Sequence, residues 1–368
     1  MTSETASSLF FTGATGFLGG ALLLAGEPAG ALVCGAVAVA SGTWENFRTR
    51  RERPVSFWTA AAVGHPPATA GWRQKRAKFL LRAAWQRQAT RTWVDRLARP
   101  EAQAMWLARP RLTSKLQRPY LCRSWGLSER VAALTAHYAI LEGLLAPAAR
   151  EQVYGEGLTL VRLVHAASGR RVDLRLVYRD QFEKEGDLSL TVEDVDSRLM
   201  LAGLTFCLLG DGSRRTAWIG GIQASADPRT RGLIADVAKE MHGFRPKAFA
   251  LWALRQLAGP WQVEQLRAAG DGEHVFRHWH KQEPEFEASY DEFWAESGGR
   301  THAAGGWELP RVIPRRRRED LKPSRRKAYE RRYSMLTELR AELLGAAAAI
   351  APQGAMADFG EPLRAFEY

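Results

Sequence analysis

From Leu158 onward the chain is built of short, mostly alternating apolar runs: Leu158–Val164, Val172–Tyr178, Leu188–Glu193, Leu199–Leu209 and Ala217–Gln223. Turn residues stand between them, at Ser168-Gly169, Glu185-Gly186-Asp187 and Gly210-Asp211-Gly212. Short strands in succession, punctuated in this way, predict an antiparallel meander. The period then changes. Thr230–His242 and Pro246–Ala258 repeat apolar residues at helical spacing, and Pro246 suits a first helical turn. A strand over Trp261–Arg267 and a helix near His274–His280 complete the series. Strands first, then helices around one last strand, predict an α+β fold with an antiparallel or mixed sheet and flanking helices.

The part before the meander reads as helical and basic, over residues 48–122. Between Gly71 and Ala98, Phe79, Leu80, Ala83, Ala84, Trp93 and Leu97 recur at helical spacing, with seven Lys and Arg residues interleaved from Arg73 to Arg91. That pattern predicts an amphipathic basic helix, or two. Such a face attaches to anionic lipid or nucleic acid, or is simply solvated. Pro100, Pro110 and Pro119 break the chain repeatedly, and a further helix over Ser128–Leu145 carries His137 as a packed core residue. Beyond Gly345 an Ala-rich stretch and Pro352 read as a loose tail.

Charge and composition narrow the function classes. The 368 residues are 46% hydrophobic and 25% charged, the mixture of a folded protein. The net charge of +12 favours anionic partners. Three cysteines, Cys34, Cys122 and Cys207, lie far apart with no paired spacing, which excludes a disulfide scaffold and argues against a thiolate zinc site. Residues 1–47 hold no Lys or Arg and form a hydrophobic Gly/Ala-rich leader whose charges are Glu4, Glu27 and Glu45, split by Glu27-Pro28. The leader lacks the positive start of a secretory signal.

Within the leader, Thr12-Gly13-Ala14-Thr15-Gly16-Phe17-Leu18-Gly19 looks like the opening of short-chain dehydrogenases, where a Gly-rich turn brings helix amides to a pyrophosphate. The expected second strand does not follow, and no tyrosine has a lysine four positions on. NAD(P) binding is therefore the least favoured reading.

Six segments carry a wider resemblance: Asp180–Leu190 (DQFEKEGDLSL), Leu204–Leu208, Trp218–Gln223 (WIGGIQ), His242–Lys247 (HGFRPK), Tyr290–Trp294 (YDEFW) and Pro323–Tyr333. In this order they resemble the VirK/YbjX family of Gram-negative bacteria, over about residues 123–344. The chain departs at Ala269–His274, where the family pattern has a Ser/Asn-rich turn before the histidine. The resemblance implies an envelope-associated protein linked to virulence and to resistance against antimicrobial peptides. It supplies no chemistry.

Candidate chemistry comes from the residues. The order of meander, Gly-rich strand end, helix and strand is similar to the core of GNAT-type acyltransferases, whose splayed strands and following amides bind acyl-CoA. Gly220, Gly221, Gln223, Arg229, Arg231 and Gly232 would then hold the cofactor, with His242 or His274 as general base. Arg245 and Lys247 either bind an anionic ligand or pair with the acidic turn of Glu183, Glu185 and Asp187. His274 and His278, with His280 and Glu273 near, have one spacing that can share an ion, but no third ligand is identified, so no metal is assigned. Arg315–Arg318 and the basic stretch Arg325–Arg332 suit an anionic bilayer better than nucleic acid, since no nucleic-acid-binding signature accompanies them. The favoured expectation is a cytoplasmic protein, peripheral on the inner membrane, working on an anionic membrane surface or envelope lipid through a basic surface. An acyltransferase taking an acyl-CoA donor is the alternative, and no specific nucleic-acid partner is expected.

Overall fold

The computed structural model describes residues 54–210, 214–278 and 289–353, the side chains of 277 and 278 excepted. The Thr12–Gly19 motif, the leader and His280 lie outside the described residues. The chain divides after Val55, and the second unit carries every element that follows.

Six helices come first: α1 (Phe57–Gly64), α2 (Trp72–Trp85), α3 (Arg87–Leu97), α4 (Pro100–Ala108), α5 (Leu127–Leu144) and α6 (Pro147–Tyr154), with a 3-10 helix over Pro110–Gln117. The basic amphipathic stretch is thus two helices, broken at Gln86. Ser56 caps α1 by accepting from the Thr59 amide at 3.1 Å. Prolines occupy the first turns of α4 and α6, where a missing N–H costs nothing.

The meander follows as β1 (Leu158–Val164), β2 (Arg171–Val177), β3 (Leu188–Asp194), β4 (Leu199–Leu209) and β5 (Arg215–Gln223), each antiparallel to the last. Next come α7 (Arg229–Glu240), α8 (Pro246–Ala258), β6 (Val263–Ala268), α9 (Tyr290–Glu296), β7 (Arg300–Thr301), β8 (Trp307–Leu309) and α10 (Pro323–Ala349). All eight strands form one sheet in the order β1-β2-β3-β4-β5-β6-β8-β7, and β6 joins β5 in parallel. This is the α+β fold with a mixed sheet.

β4 is buried along nearly its whole length, so both its faces are covered, and α5 and α8 pack against it. β1 is an edge strand with a more alternating pattern. α10 covers it, and Glu342 accepts the Arg162 amide at 3.0 Å, which blunts the open edge. α10 also runs past Gly345, where the sequence reading begins a loose tail. Alanines favour helix, and Ala347 is buried, so the helix ends only at Ala349.

Two features of the sheet shape the site. β5 pairs with β6 only as far as Ile219 opposite Ala268 and Ile219 O with the Ala269 amide; beyond that its partner in the sheet is β4 alone. β4 and β5 also slip register between Thr205 and Phe206, where Gly220 is the extra residue.

Candidate functional site

The stretch from Asp180 to Asp187 crosses from a short 3-10 turn into β3 and carries three carboxylates at alternate positions. Glu183, Glu185 and Asp187 are all buried, at 4, 0 and 1% exposure. Buried carboxylates require partners, and each of these has its own.

Glu183 accepts from Arg111 Nε at 3.2 Å and is also paired with Arg118. Asp187 takes Lys115 Nζ at 2.9 Å and the Tyr138 hydroxyl at 3.0 Å, together with Tyr120. Glu185 receives His274 Nε2 at 3.0 Å and the Gln223 amide. Arg111, Lys115 and Arg118 come from the 3-10 helix Pro110–Gln117 and its exit, so the basic helical region is built into the centre of the domain. Arg245 and Lys247 do not serve the acidic turn: Arg245 lies 3.8 Å from Glu296, and Lys247 sits half-buried at the start of α8.

Glu185 lies where β5 leaves β6. Its backbone rests directly on Gly220: a Cβ added there would meet the Glu185 carbonyl oxygen at 2.0 Å, and one on Gly221 would meet the carboxylate at 2.7 Å. The His274 ring stacks on Tyr290 at 4.8 Å. Burial raises the Glu185 carboxyl above its usual range, against the hydrogen bond and charge of His274. Burial, then Glu185 and Asp271, push the Tyr290 phenol up. Glu185 Oε2 is buried without a hydrogen-bond partner among the described residues. A buried carboxyl held protonation-prone by burial and hydrogen-bonded to an imidazole can pass a proton between the two groups, the arrangement of a general acid–base pair.

Asp187 sits in a different kind of centre. Tyr120 also meets Cys207 Sγ at 2.6 Å, and His137 Nδ1 accepts the Leu208 amide at 3.1 Å. Burial, then the Asp187 charge, raises the Cys207 thiol and the Tyr120, Tyr138, Tyr154 and Tyr178 phenols. For Asp187 itself burial pushes up, but Lys115, His137 and Tyr120 bring the carboxyl net below its usual value. His137, Asp187 and Cys207 offer ligand atoms within 4.8 Å of one another. Lys115 already holds the carboxylate and Tyr120 meets the thiol, so these groups are tied into a buried network.

The residues expected from sequence separate into groups. Gly220, Gly221, Gln223 and His274 gather at Glu185. Arg229, Arg231 and Gly232 occupy the first turn of α7, where Arg229 is tied to Asp227 by hydrogen bonds of 3.0 and 2.8 Å and Arg231 is exposed. His242 stands in the turn before α8 at φ +54°, its carbonyl accepting from Arg332 Nε at 3.1 Å and Nη2 at 2.6 Å. Burial, then Arg331 and Arg332, lower its imidazole. His274 precedes a short 3-10 turn, Val275–His278, rather than a longer helix.

The surface of α1 and α2 departs from the rest. Trp58, Leu81 and Trp85 are 75, 75 and 91% exposed. Leu81 and Trp85 stand one turn apart on α2, with exposed Arg73, Lys78 and Arg82 around them. No helix among the described residues is long and apolar enough to cross a membrane.

The fold and this buried carboxylate–histidine centre define an α+β protein assembled from a basic helical layer and a mixed sheet. The chain belongs to the family described as "Protein of unknown function (DUF535)", which matches residues 69–344 and so includes most of the basic helices. It is 30% identical over 295 residues to the uncharacterized protein YbjX of Escherichia coli K12, covering 79% of this chain and 85% of that one. It is 24% identical over 232 residues to an uncharacterized protein of Haemophilus influenzae, covering 63% and 76%. The family is therefore the one the six segments resemble. No solved structure matches the chain.

Proposed function

We propose that the protein is a peripheral factor of an anionic envelope surface, supporting envelope integrity and resistance to antimicrobial peptides, and that it binds lipid through α1 and α2. The exposure of Leu81 and Trp85 amid the arginines and lysines of α2, with Trp58 exposed on α1, carries this reading. Large apolar side chains are costly in water and gain on entering an acyl boundary, while each nearby Lys or Arg adds about 1 kcal/mol at an anionic surface. Sedimentation of the full chain with phosphatidylcholine vesicles, with and without phosphatidylglycerol, tests it. Binding should require the anionic lipid and weaken at least about tenfold in Leu81→Ser/Trp85→Ser, since each buried apolar side chain is worth ~1.5–3 kcal/mol. Equal binding by the variant sinks the reading.

A second reading rests on the parting of β5 and β6 beside Glu185 and His274. It is an acyltransferase using acyl-CoA to modify an envelope component, with Glu185–His274 moving the acceptor's proton and Arg231 facing the diphosphate. Long-chain acyl-CoA should raise the melting temperature, by ~2.7 kcal/mol of stabilisation at 100 times its dissociation constant. The effect should disappear in Arg231→Ala. No shift with coenzyme A, acetyl-CoA or long-chain acyl-CoA at millimolar concentration removes this reading.

A further inference from the structure

A cleft of about 660 Å³ opens between α1, α2 and the 3-10 helix Pro110–Gln117, well within the size range of small-ligand sites. One wall is a face of α2, where Lys75, Lys78 and Arg82 fall at helical spacing. Arg111, Arg118 and Lys184 line the opposite side, and Glu183 is the one carboxylate among the lining residues. Six cations around one carboxylate leave the cleft with a net positive charge that favours an entering anion. Arg111 binds Glu183 through Nε and Nη2 and Arg118 binds it through Nη1, so both guanidinium planes are held in place and a further acceptor would be met by their remaining N–H groups.

His65, also in the lining, registers the same field from the side. Its imidazole donates to or accepts from Ser114 Oγ at 2.9 Å. Burial first, then Arg118, Lys75 and Arg76, lower it to about 4. The cleft also limits the ligand class. Its lining is dominated by cations, with His65 as the one aromatic ring among the lining residues, so charge rather than base stacking supplies the recognition there. A second hollow of about 490 Å³ shares Arg111, Glu183 and Lys184 and continues to Phe276, with room for the rest of a ligand.

We propose that this cleft binds a ligand bearing two or more clustered phosphate groups, either a soluble phosphate ester or a phosphorylated lipid headgroup. The phosphates lie between Lys75, Lys78 and Arg82 on one side and Arg111 and Arg118 on the other. The lipid source rests on the reading of α1 and α2 as a lipid-binding face, because Lys78 and Arg82 share α2 with Leu81 and Trp85; the soluble source does not.

Calorimetric titration of the full chain with inorganic pyrophosphate, against sulfate, tests the site. Pyrophosphate should bind saturably and at least about tenfold tighter than sulfate, the worth of one charge-assisted hydrogen bond. Lys75 and Lys78 are exposed, so Lys75→Ala/Lys78→Ala leaves the core untouched and should lose at least that factor. The His65 imidazole should titrate at higher pH in the pyrophosphate complex, a shift that a distant binding site would not produce. Leu81→Ser/Trp85→Ser should bind pyrophosphate as the wild type does, whatever happens to its vesicle binding. Competition between vesicles containing diacylglycerol pyrophosphate and free pyrophosphate assigns the headgroup, and binding of pyrophosphate without such competition assigns the soluble ester. Pyrophosphate no tighter than sulfate, or undiminished in Lys75→Ala/Lys78→Ala, overturns the site and leaves the lipid-surface reading standing on its own test.

Discussion

His137 is fully buried beside Asp187 and Lys115, and its neutrality carries a cost in acid. Burial, with Lys115 adding to it and Asp187 opposing, lowers its imidazole to about 4. An unfolded chain binds that proton near pH 6.5, and the folded chain does so only near 4. Between these values the unfolded state holds more protons, so stability falls as pH falls through this window, by about 3 kcal/mol for His137 in full. His65 acts in the same direction over the same range. Asp187 behaves differently: its lowered carboxyl contributes stability that is lost only below the ordinary aspartate range. Glu185 opposes the histidines, because its raised carboxyl favours the folded state as pH drops toward it. Urea unfolding between pH 7 and 4.5 should therefore show a decline that is shallower in His137→Gln, where an amide oxygen can still accept the Leu208 N–H. An identical slope in the variant would mean that His137 is not held neutral by the fold.

The glycines proposed from sequence for a cofactor separate sharply at the level of their elements. On β5, Gly220 has the Glu185 carbonyl where a side chain would be, and backbone cannot swing aside as a flexible side chain can. Gly220→Ala should cost 2 kcal/mol or more, at the upper end of the roughly 1–3 kcal/mol of overpacking. On α7, Gly232 has nothing within 4 Å of a Cβ, so Gly232→Ala should stabilise by roughly 0.5–1 kcal/mol through helix propensity. Thermal unfolding of the two variants should move in opposite directions, and similar losses in both would mean the acidic turn does not rest on the sheet. The contrast also explains what the sequence made legible. The five meander strands, α5, α7 and α8 show in the pattern because each is an apolar or alternating run long enough to read, bounded by turn residues or prolines. α1, α4 and α6 are short and rich in alanine, and α9 is shorter still, so no period marks them; packing forms them. Gly220, Gly221, Gln223 and His274 are recognisable as polar or Gly-rich breaks in apolar runs. Their meeting point is not, since Glu185 lies 38 residues from Gln223 and 89 from His274, and locally it is one acid in a turn. The cations of the 3-10 helix were hidden for the same reason, because a charge run reads alike whether it is solvated or paired with buried carboxylates.

Across the whole molecule the +12 charge is not one uniform field, and its two main concentrations are built differently. Arg315–Arg318 lies against α10: Arg315 sits over the Tyr333 ring at 5.0 Å, Arg316 over Tyr329 at 5.9 Å, and Arg318 lies 3.4 Å from Glu330. These arginines partly spend their directionality on α10, and the exposed apolar residues beside them, Val312 and Ile313, are smaller and less exposed, at 43 and 48%, than Leu81 and Trp85. The α2 cations surround Leu81 and Trp85 instead. Long-range attraction is screened beyond about 8 Å at physiological salt, whereas apolar insertion is not. The Arg run should therefore speed the approach to an anionic surface and add a salt-sensitive part of the affinity, and α2 should supply the part that persists. Replacing Arg315–Arg318 by Gln should lower vesicle binding several-fold at low salt and less at ~0.15 M. Leu81→Ser/Trp85→Ser should lower it by a similar factor at both. If instead the Gln variant loses all binding at ~0.15 M salt while the α2 variant keeps it, the lipid-facing surface is α10 and the exposed residues of α1 and α2 serve another partner.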